Sequence, residues 1–210
     1  MDPRFVINSE DELRRLYPAT HDLALQKFQQ ELGLHAQAFI RRSPFLCLAT
    51  QDLNGRADVS PRGDPPGFVR ILDSSTLAIP DRPGNNRLDS LSNIIENPAV
   101  GLLFMIPGFD DTLRVNGSAH IVNDPALLES MQVNNRLPTL AILVQVREVF
   151  LHCAKALRRS RIWDPAHHQD RSQMPSLIKM ILDETTGAPG EEEMREIDAG
   201  LEEDYKQTMY

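Results

Sequence analysis

Residues 45–72 read "FLCLATQDLNGRADVSPRGDPPGFVRIL", and their texture decides the fold class. Short runs rich in apolar and β-branched residues are each closed by turn-forming residues. "FLCLATQD" runs into "LNG", and "GRADVSPR" runs into "GDPPG". This is the pattern of short strands joined by tight turns. Pro61 fixes φ and removes a donor, so its strand either ends there or lies on a sheet edge, which projects Ser60 and Arg62 from a rim. Further along come "TLAIP", "AVGLLFMI", "TLRVNGSAHIV" and "TLAILVQVREVFLHC", separated by "DSS", "DRPGNN" and "IPGFDD". In the last run apolar and polar residues alternate only towards the end, as in a strand with one end buried on both faces. Six or seven such strands with few intervening helices predict an antiparallel barrel or sandwich, mainly β with flanking helices.

The flanks carry helical signals. Ser9 followed by Glu12 forms a capping box before "EDELRRLY". Leu23, Phe28, Leu32, Ala36 and Phe39 recur at roughly helical spacing over 20–41, with Gly33 weakening a single unbroken helix. Helices are also expected over 87–97 and 125–133. Past Pro165 the amphipathic "PSLIKMILDE" and the charged "EEEMREIDAGLEEDYKQTMY" are joined by "TGAPG". The chain thus divides into an N-terminal helical extension (1–42), a β domain (43–165) and a C-terminal helical, acidic extension (166–210). A chain of 210 residues is long enough for one well-buried core.

Formal net charge is −8, but residues 183–204 hold ten acidic residues and one basic, a local −9, so the rest of the chain stands at +1. A nearly neutral body argues against nucleic-acid binding, which needs a net basic face. It suits a small anionic ligand held by a few placed arginines. No apolar run approaches the ~20 residues needed to cross a bilayer, and the N-terminus lacks the pattern of a secretory signal. Cys47 and Cys153 form no CxxC pair, so a reducing cytoplasm is expected and a disulfide framework is not. Cys47, inside an apolar strand, is expected in the core. The histidines have no companions at metal-ligand spacing, and no metal site is assigned. No paired carboxylates mark a catalytic acid and base, so catalytic residues stay unassigned.

Four stretches could carry chemistry. "RPGNNRLDSLSNIIENP", residues 82–98, offers a glycine turn, Asn85 and Asn86 suited to positive φ or an N-cap, and Arg87 in a first helical turn. Ser90 and Asn93 follow on one helical face, while Asp89 faces water or pairs with Arg87. Guanidinium, hydroxyl and helix N–H donors together fit a phosphate. Alone, the stretch reads first as a capped surface helix, since such caps are common. "ADVSPRGDPPGF" presents Ser60 and Arg62, with a plain surface pair of Arg62 and Asp64 as the alternative reading. In "DTLRVNGSAHI", Thr112, Arg114 and Asn116 share a strand face, otherwise just the solvent side of a sheet, and Gly117 marks a bulge or a close approach to a ligand. "HCAKALRRSRIWDP" places Lys155, Arg158, Arg159 and Arg161 beside the only tryptophan, Trp163, either as a solvated face or as an arm towards a planar anion.

In their order, "SPFLCLATQDLNGRADVSPRGDPPGFVRI", "LAIPDRPGNNRLDSLSNIIENPAVGLLFMIPG" and "TLRVNGSAHIV" closely resemble the pyridoxamine 5′-phosphate oxidase-like proteins, the FMN-binding split-barrel superfamily. "VFLHCAKALRRSRIWDP" is similar to a bacterial subgroup of FMN-dependent enzymes within it. The resemblance spans about 43–165. It implies a six-stranded antiparallel split β-barrel forming a homodimer, with two FMN sites at the interface. By position, Ser60, Pro61 and Arg62 would line the ribityl chain and ring, with Ile79 and Pro80 beside the ring. The family's Arg-Lys phosphate pair is missing; Asn86, Arg87 and Ser90 are the nearest substitutes. Thr112 would face the flavin from the partner subunit, and Lys155, Arg158 and Trp163 would belong to the same wall.

The function implied is an FMN-dependent oxidoreductase, in which a nicotinamide or other reductant passes hydride to the flavin and a small organic acceptor takes it on. Pyridoxamine phosphate itself is not the expected substrate. The true oxidases end in a basic, proline-containing segment, whereas this acidic tail repels a phosphorylated substrate at short range. The alternatives are a flavin or haem carrier without turnover, or the same fold using a deazaflavin.

Overall fold

The first hairpin closes through Asp52. Its Oδ1 accepts from the backbone N–H groups of Asn54 and Arg56 at 2.8 and 2.9 Å, and its Oδ2 accepts from Arg56 Nε at 2.8 Å. These donors, the Arg56 N–H first, hold the Asp52 carboxyl below its ordinary pKa. Gly55 supplies the positive φ of the turn, +83°. The structure, a computed structural model, describes residues 2–209. On either side of this turn β1 (Phe45–Gln51) and β2 (Ala57–Gly63) pair antiparallel, with Phe45 opposite Gly63.

β3 (Arg70–Asp73), β4 (Thr76–Asp81), β5 (Ala99–Met105), β6 (Thr112–Val122) and β7 (Leu140–His152) complete one antiparallel sheet in the order β2-β1-β5-β6-β7-β4-β3. That is seven strands among the described residues, one more than the resemblance implies. The shortest is the four-residue β3 within "GFVRIL", which pairs with β4 alone. β2 is an edge strand, and this is how it continues through Pro61.

The two ends of the sheet meet without backbone pairing. Arg62 Nη1 of β2 lies 2.8 Å from Asp81 Oδ1 at the end of β4, and Arg82 Nε lies 2.7 Å from Asp64 Oδ2. The sheet therefore rolls until its ends stand side by side, joined by side chains across an open seam. It is a split barrel.

Alternation fills the interior. Leu46 and Leu48 of β1, Leu102 and Phe104 of β5, and Leu113 and Val115 of β6 are buried, as are Leu77 and Ile79 of β4 and Ile142 and Val144 of β7. The same parity puts Cys47 on the outer face, half-buried, and not in the core as its apolar neighbours suggest. Between Asn116 and Gly117 the β6–β7 register shifts by one residue. A Cβ at Gly117 would press into the Gln145 carbonyl, so the glycine serves the bulge and its close approach is to β7, not to a ligand.

The helices sit around this barrel. The pattern over 20–41 resolves into α2 (Asp22–Gln26) and α3 (Leu34–Arg42), with Gly33 at the N-cap of α3, after α1 (Glu10–Arg15) capped by Ser9. Between α2 and α3, Gln29 bridges to Val149 of β7. α4 spans Asp89–Glu96, shorter than 87–97, and buries Leu91 and Ile94 in the core. α5 (Pro125–Ser130) ends before 133, and α6 spans Lys155–Ser160. α7 (Leu177–Glu184) and the acidic α8 (Glu191–Thr208) close the chain. Arg136 pins the end of α8 by donating to the carbonyls of Gln207 and Thr208 at 3.0 and 3.3 Å. Among the described residues, no helix is long and apolar enough to cross a membrane.

Candidate functional site

The seam between β2 and β4 opens into two adjoining hollows of about 250 and 380 Å³. Ser60, Pro61, Arg62, Arg82, Gly84 and Asn85 belong to both. The first hollow runs to the start of α4 and is lined also by Asp58, Asp81, Asn86, Arg87 and Ser90. The second is more apolar, with Phe68, Pro80 and Pro83. Together they match the size of small-ligand clefts.

β2 places three polar side chains on one face by its period of two: Asp58, Ser60 and Arg62. Across from them, α4 turns Ser90 towards β2. Ser90 Oγ donates to Asp58 Oδ2 at 2.6 Å and lies 2.9 Å from Ser60 Oγ. Ser60 Oγ accepts from Arg62 Nε at 3.3 Å. One turn on, Asn93 Nδ2 donates to Thr50 Oγ1 at 3.0 Å. The expected common face of Ser90 and Asn93 is thus the face α4 presents to β1 and β2.

The loop before α4 differs from the expected first turn. Arg87 precedes the helix, and the N-cap is Leu88, a left-handed residue with φ +60° and no side-chain cap. Asn86 takes a positive φ of 56°, as anticipated for this turn. Asn85 Oδ1 accepts from the Arg87 N–H at 3.1 Å. Arg87 Nε sits 2.7 Å from Asp89 Oδ2, with the Arg87 side chain 72% exposed. Arg62 pairs with Asp81 rather than its sequence neighbour Asp64, which pairs with Arg82 and keeps Oδ1 enclosed without a partner.

Of the residues singled out from sequence, Ser60, Pro61, Arg62, Asn86, Arg87 and Ser90 meet in the first hollow, and Pro80 lines the second. Ile79 lies in the barrel core, fully buried behind Pro80. Thr112, Arg158 and Trp163 stand elsewhere in the protomer, around the β5–β6 turn, and Lys155 opens α6, outside both hollows. Arg158 Nε is 2.9 Å from Asp110, and Trp163 Nε1 donates to the Phe109 carbonyl at 2.8 Å. Thr112, buried, opens β6 directly after that turn and pairs with His152. Burial first, then the charges of Arg114 and Lys27, push the His152 imidazole below its ordinary pKa. Asp58, Thr50 and Asp81 were not singled out. The spacing Asp-x-Ser-x-Arg on one strand face was a readable signal for Asp58; the Asp81 contact, made across the seam, was not.

A profile of the pyridoxamine 5′-phosphate oxidase family matches residues 34–153, more than half of the chain. No curated protein matches the sequence. Several solved structures are similar over part of the chain. HupZ of Group A Streptococcus is 19% identical over 57% of this chain and 92% of its own, with a TM-score of 0.46. General Stress Protein 26 of Bacillus anthracis is 16% identical over 55% and 88%, at 0.43. An FMN-binding protein of Syntrophomonas wolfei is 8% identical over 68% and 96%, also at 0.43. The matched segment begins at the first residue of α3 and ends just past β7, so it takes in every strand of the barrel and the whole cleft: this chain belongs to the pyridoxamine 5′-phosphate oxidase family.

Proposed function

We propose that the protein binds FMN in the seam cleft and works as an FMN-dependent oxidoreductase on a small organic substrate other than pyridoxamine phosphate. One observation carries the reading. The cleft brings together donors on the loop before α4 (Arg87, Asn85 and Asn86), the hydroxyls of Ser60 and Ser90, and the more apolar hollow of Phe68 and Pro80. Anion, polyol and ring are the three parts of a flavin mononucleotide that such a lining would serve. Bound FMN would supply two-electron chemistry, exchanging hydride between a nicotinamide donor and an organic acceptor. The protein's part is to hold the ring against the apolar hollow and to keep the phosphate at the loop before α4.

The acidic tail supports the exclusion of a phosphorylated substrate. Arg136 fastens α8 to the loop after α5, and Arg82 of the cleft donates to Met131 on that same segment at 2.9 Å. A phosphate approaching from that side meets like charge. A homodimer accompanies the proposal, since Thr112, Lys155, Arg158 and Trp163 lie apart from the cleft of their own protomer and fit the wall of a partner's.

The absorbance spectrum of purified protein tests the reading, followed by identification of what denaturation releases. Flavin bands and released FMN are expected; protein that stays colourless after incubation with FMN would overturn it. A second reading, a flavin carrier without turnover, is favoured by the cleft's titratable groups. They are carboxylates and guanidiniums, with no His, Cys, Tyr or Lys among the described residues that line either hollow. Rapid reoxidation of the reduced protein by a defined acceptor would exclude storage.

A further inference from the structure

The hydrogen bonds on the cleft floor have only one consistent direction. Arg62 carries donors and no acceptor, so Ser60 Oγ must accept from Arg62 Nε at 3.3 Å. At the other end the Asp58 carboxylate accepts, taking the Ser90 proton at 2.6 Å. Each serine has one proton. Ser90 gives its proton to Asp58, so Ser60 is the donor in the 2.9 Å contact between the two hydroxyls. Thr50 behaves alike: it accepts from Asn93 at 3.0 Å and directs its own proton to Asp58 Oδ2 at 3.4 Å. The relay runs from Arg62 through Ser60 and Ser90 to Asp58.

Neither serine has a proton left for a phosphate oxygen. What the floor offers a ligand is acceptors: the remaining lone pairs of Ser60 and Ser90, and Asp58 Oδ1. That oxygen has no hydrogen-bond partner among the described residues, and Asp58 lines the cleft. Asp81, held by Arg62 at 2.8 Å, adds a second carboxylate to the same floor. A phosphate dianion seated here would find no free hydroxyl proton and would face the Asp58 carboxylate, while the Arg62 guanidinium on the same floor is already paired with Asp81. A hydroxyl would find an acceptor for its proton and no opposing charge.

Resting on the flavin reading above, we propose that Asp58 is a specificity-determining residue of the cleft. Through Oδ1 it takes a hydroxyl of the ligand's polyol chain, and the serine relay holds the carboxylate in place. The anion is held apart, at the Asn85–Arg87 rim. The floor reads hydroxyls and the rim reads charge.

Titrations of the parent protein, Asp58→Ala and Asp58→Asn with three flavins separate the possibilities. FMN carries polyol and phosphate, riboflavin the polyol alone, and lumiflavin neither; flavin fluorescence reports binding and thermal melting reports folding. Asp58→Ala is expected to lower affinity for FMN and riboflavin by the same factor, about tenfold or more, and to leave lumiflavin unchanged. Asp58→Asn keeps the shape and one acceptor oxygen, and is expected to lose about threefold or more for both polyol flavins. It carries the test alone if the alanine variant does not fold. Unchanged or tighter FMN binding in the variants, with the parent binding normally, would overturn the assignment and return the phosphate to the serines. A parent protein with no affinity for any of the three would remove the flavin reading, and this assignment with it.

Discussion

In the proposed site Arg87 would be shared with the phosphate, because its present partner holds it weakly. The pair with Asp89 is short, 2.7 Å, but the two side chains are 72% and 48% exposed. Pairs so open to solvent and salt add little, whereas a charge-assisted hydrogen bond to a phosphate contributes about 1.5–3 kcal/mol. Arg87→Ala should therefore weaken FMN binding roughly ten- to a hundredfold. Arg159→Ala, on exposed α6 and outside both hollows, should leave the affinity as it is. Flavin titration of the two variants checks this, and equal affinities would move the phosphate away from the loop before α4. At this scale the sequence was legible where a residue's own stereochemistry decides. Asn86 takes its positive φ, and Pro61 marks an edge strand. It was not legible where a partner comes from across the seam. Arg62 has Asp64 two residues away in sequence, yet Asp81 supplies its carboxylate because the barrel rolls β4 up to β2.

Among elements, the bulge between β6 and β7 makes the sharpest demand on a single residue. Gly117 sits where any Cβ meets the Gln145 backbone carbonyl, and a backbone atom cannot step aside as a flexible side chain can. Gly117→Ala should cost about 3 kcal/mol, the upper part of the range for overpacking, read as a lowered midpoint in urea unfolding. Gly101→Ala in neighbouring β5 is the control. Its Cβ would meet Asn116 Oδ1 at 3.5 Å, an ordinary contact, so its stability should stay close to the parent's. Similar losses in both would show that strand glycine as such, and not the bulge, sets the cost. Gly117 was legible as a bulge or a close approach to a ligand, the two readings a glycine inside a strand allows, and only the register with β7 decides for the bulge. The other glycine signal, Gly33, divides the helical pattern over 20–41. Helix ends were less legible: α4 starts at Asp89 because Leu88, not a polar cap, adopts the left-handed turn. Composition misplaced Cys47, since an unbroken apolar run does not say which alternate residues face inward.

For the whole molecule, the inner face of the barrel is filled while part of the outer face is left half-open. Register brings Phe45 beside Met105, Cys47 beside Leu103 and Ala49 beside Gly101, an apolar band in the middle of the sheet. Towards β7 it is bordered by Arg114, Asn116 and Glu148, with the Arg114 guanidinium 4.0 Å from the Phe150 ring centre. An apolar centre with a polar border is the anatomy of a protein interface, and a second copy is the occupant that would also bring Thr112 and Trp163 to a neighbouring cleft. The sequence showed the composition of this band but not its exposure, which follows only once alternation has sent Leu46, Leu48, Leu102 and Phe104 inward. Leu103→Arg puts a charge at the centre of the band without touching the interior. If the face joins two protomers, light scattering should show a dimer for the parent and a monomer for the variant, with the melting curve still cooperative. FMN affinity should fall along with the dimer, although position 103 lines neither hollow. A parent protein that is already monomeric and binds FMN in full would mean that one protomer's seam is a complete site, and Thr112, Lys155, Arg158 and Trp163 would then have no part in it.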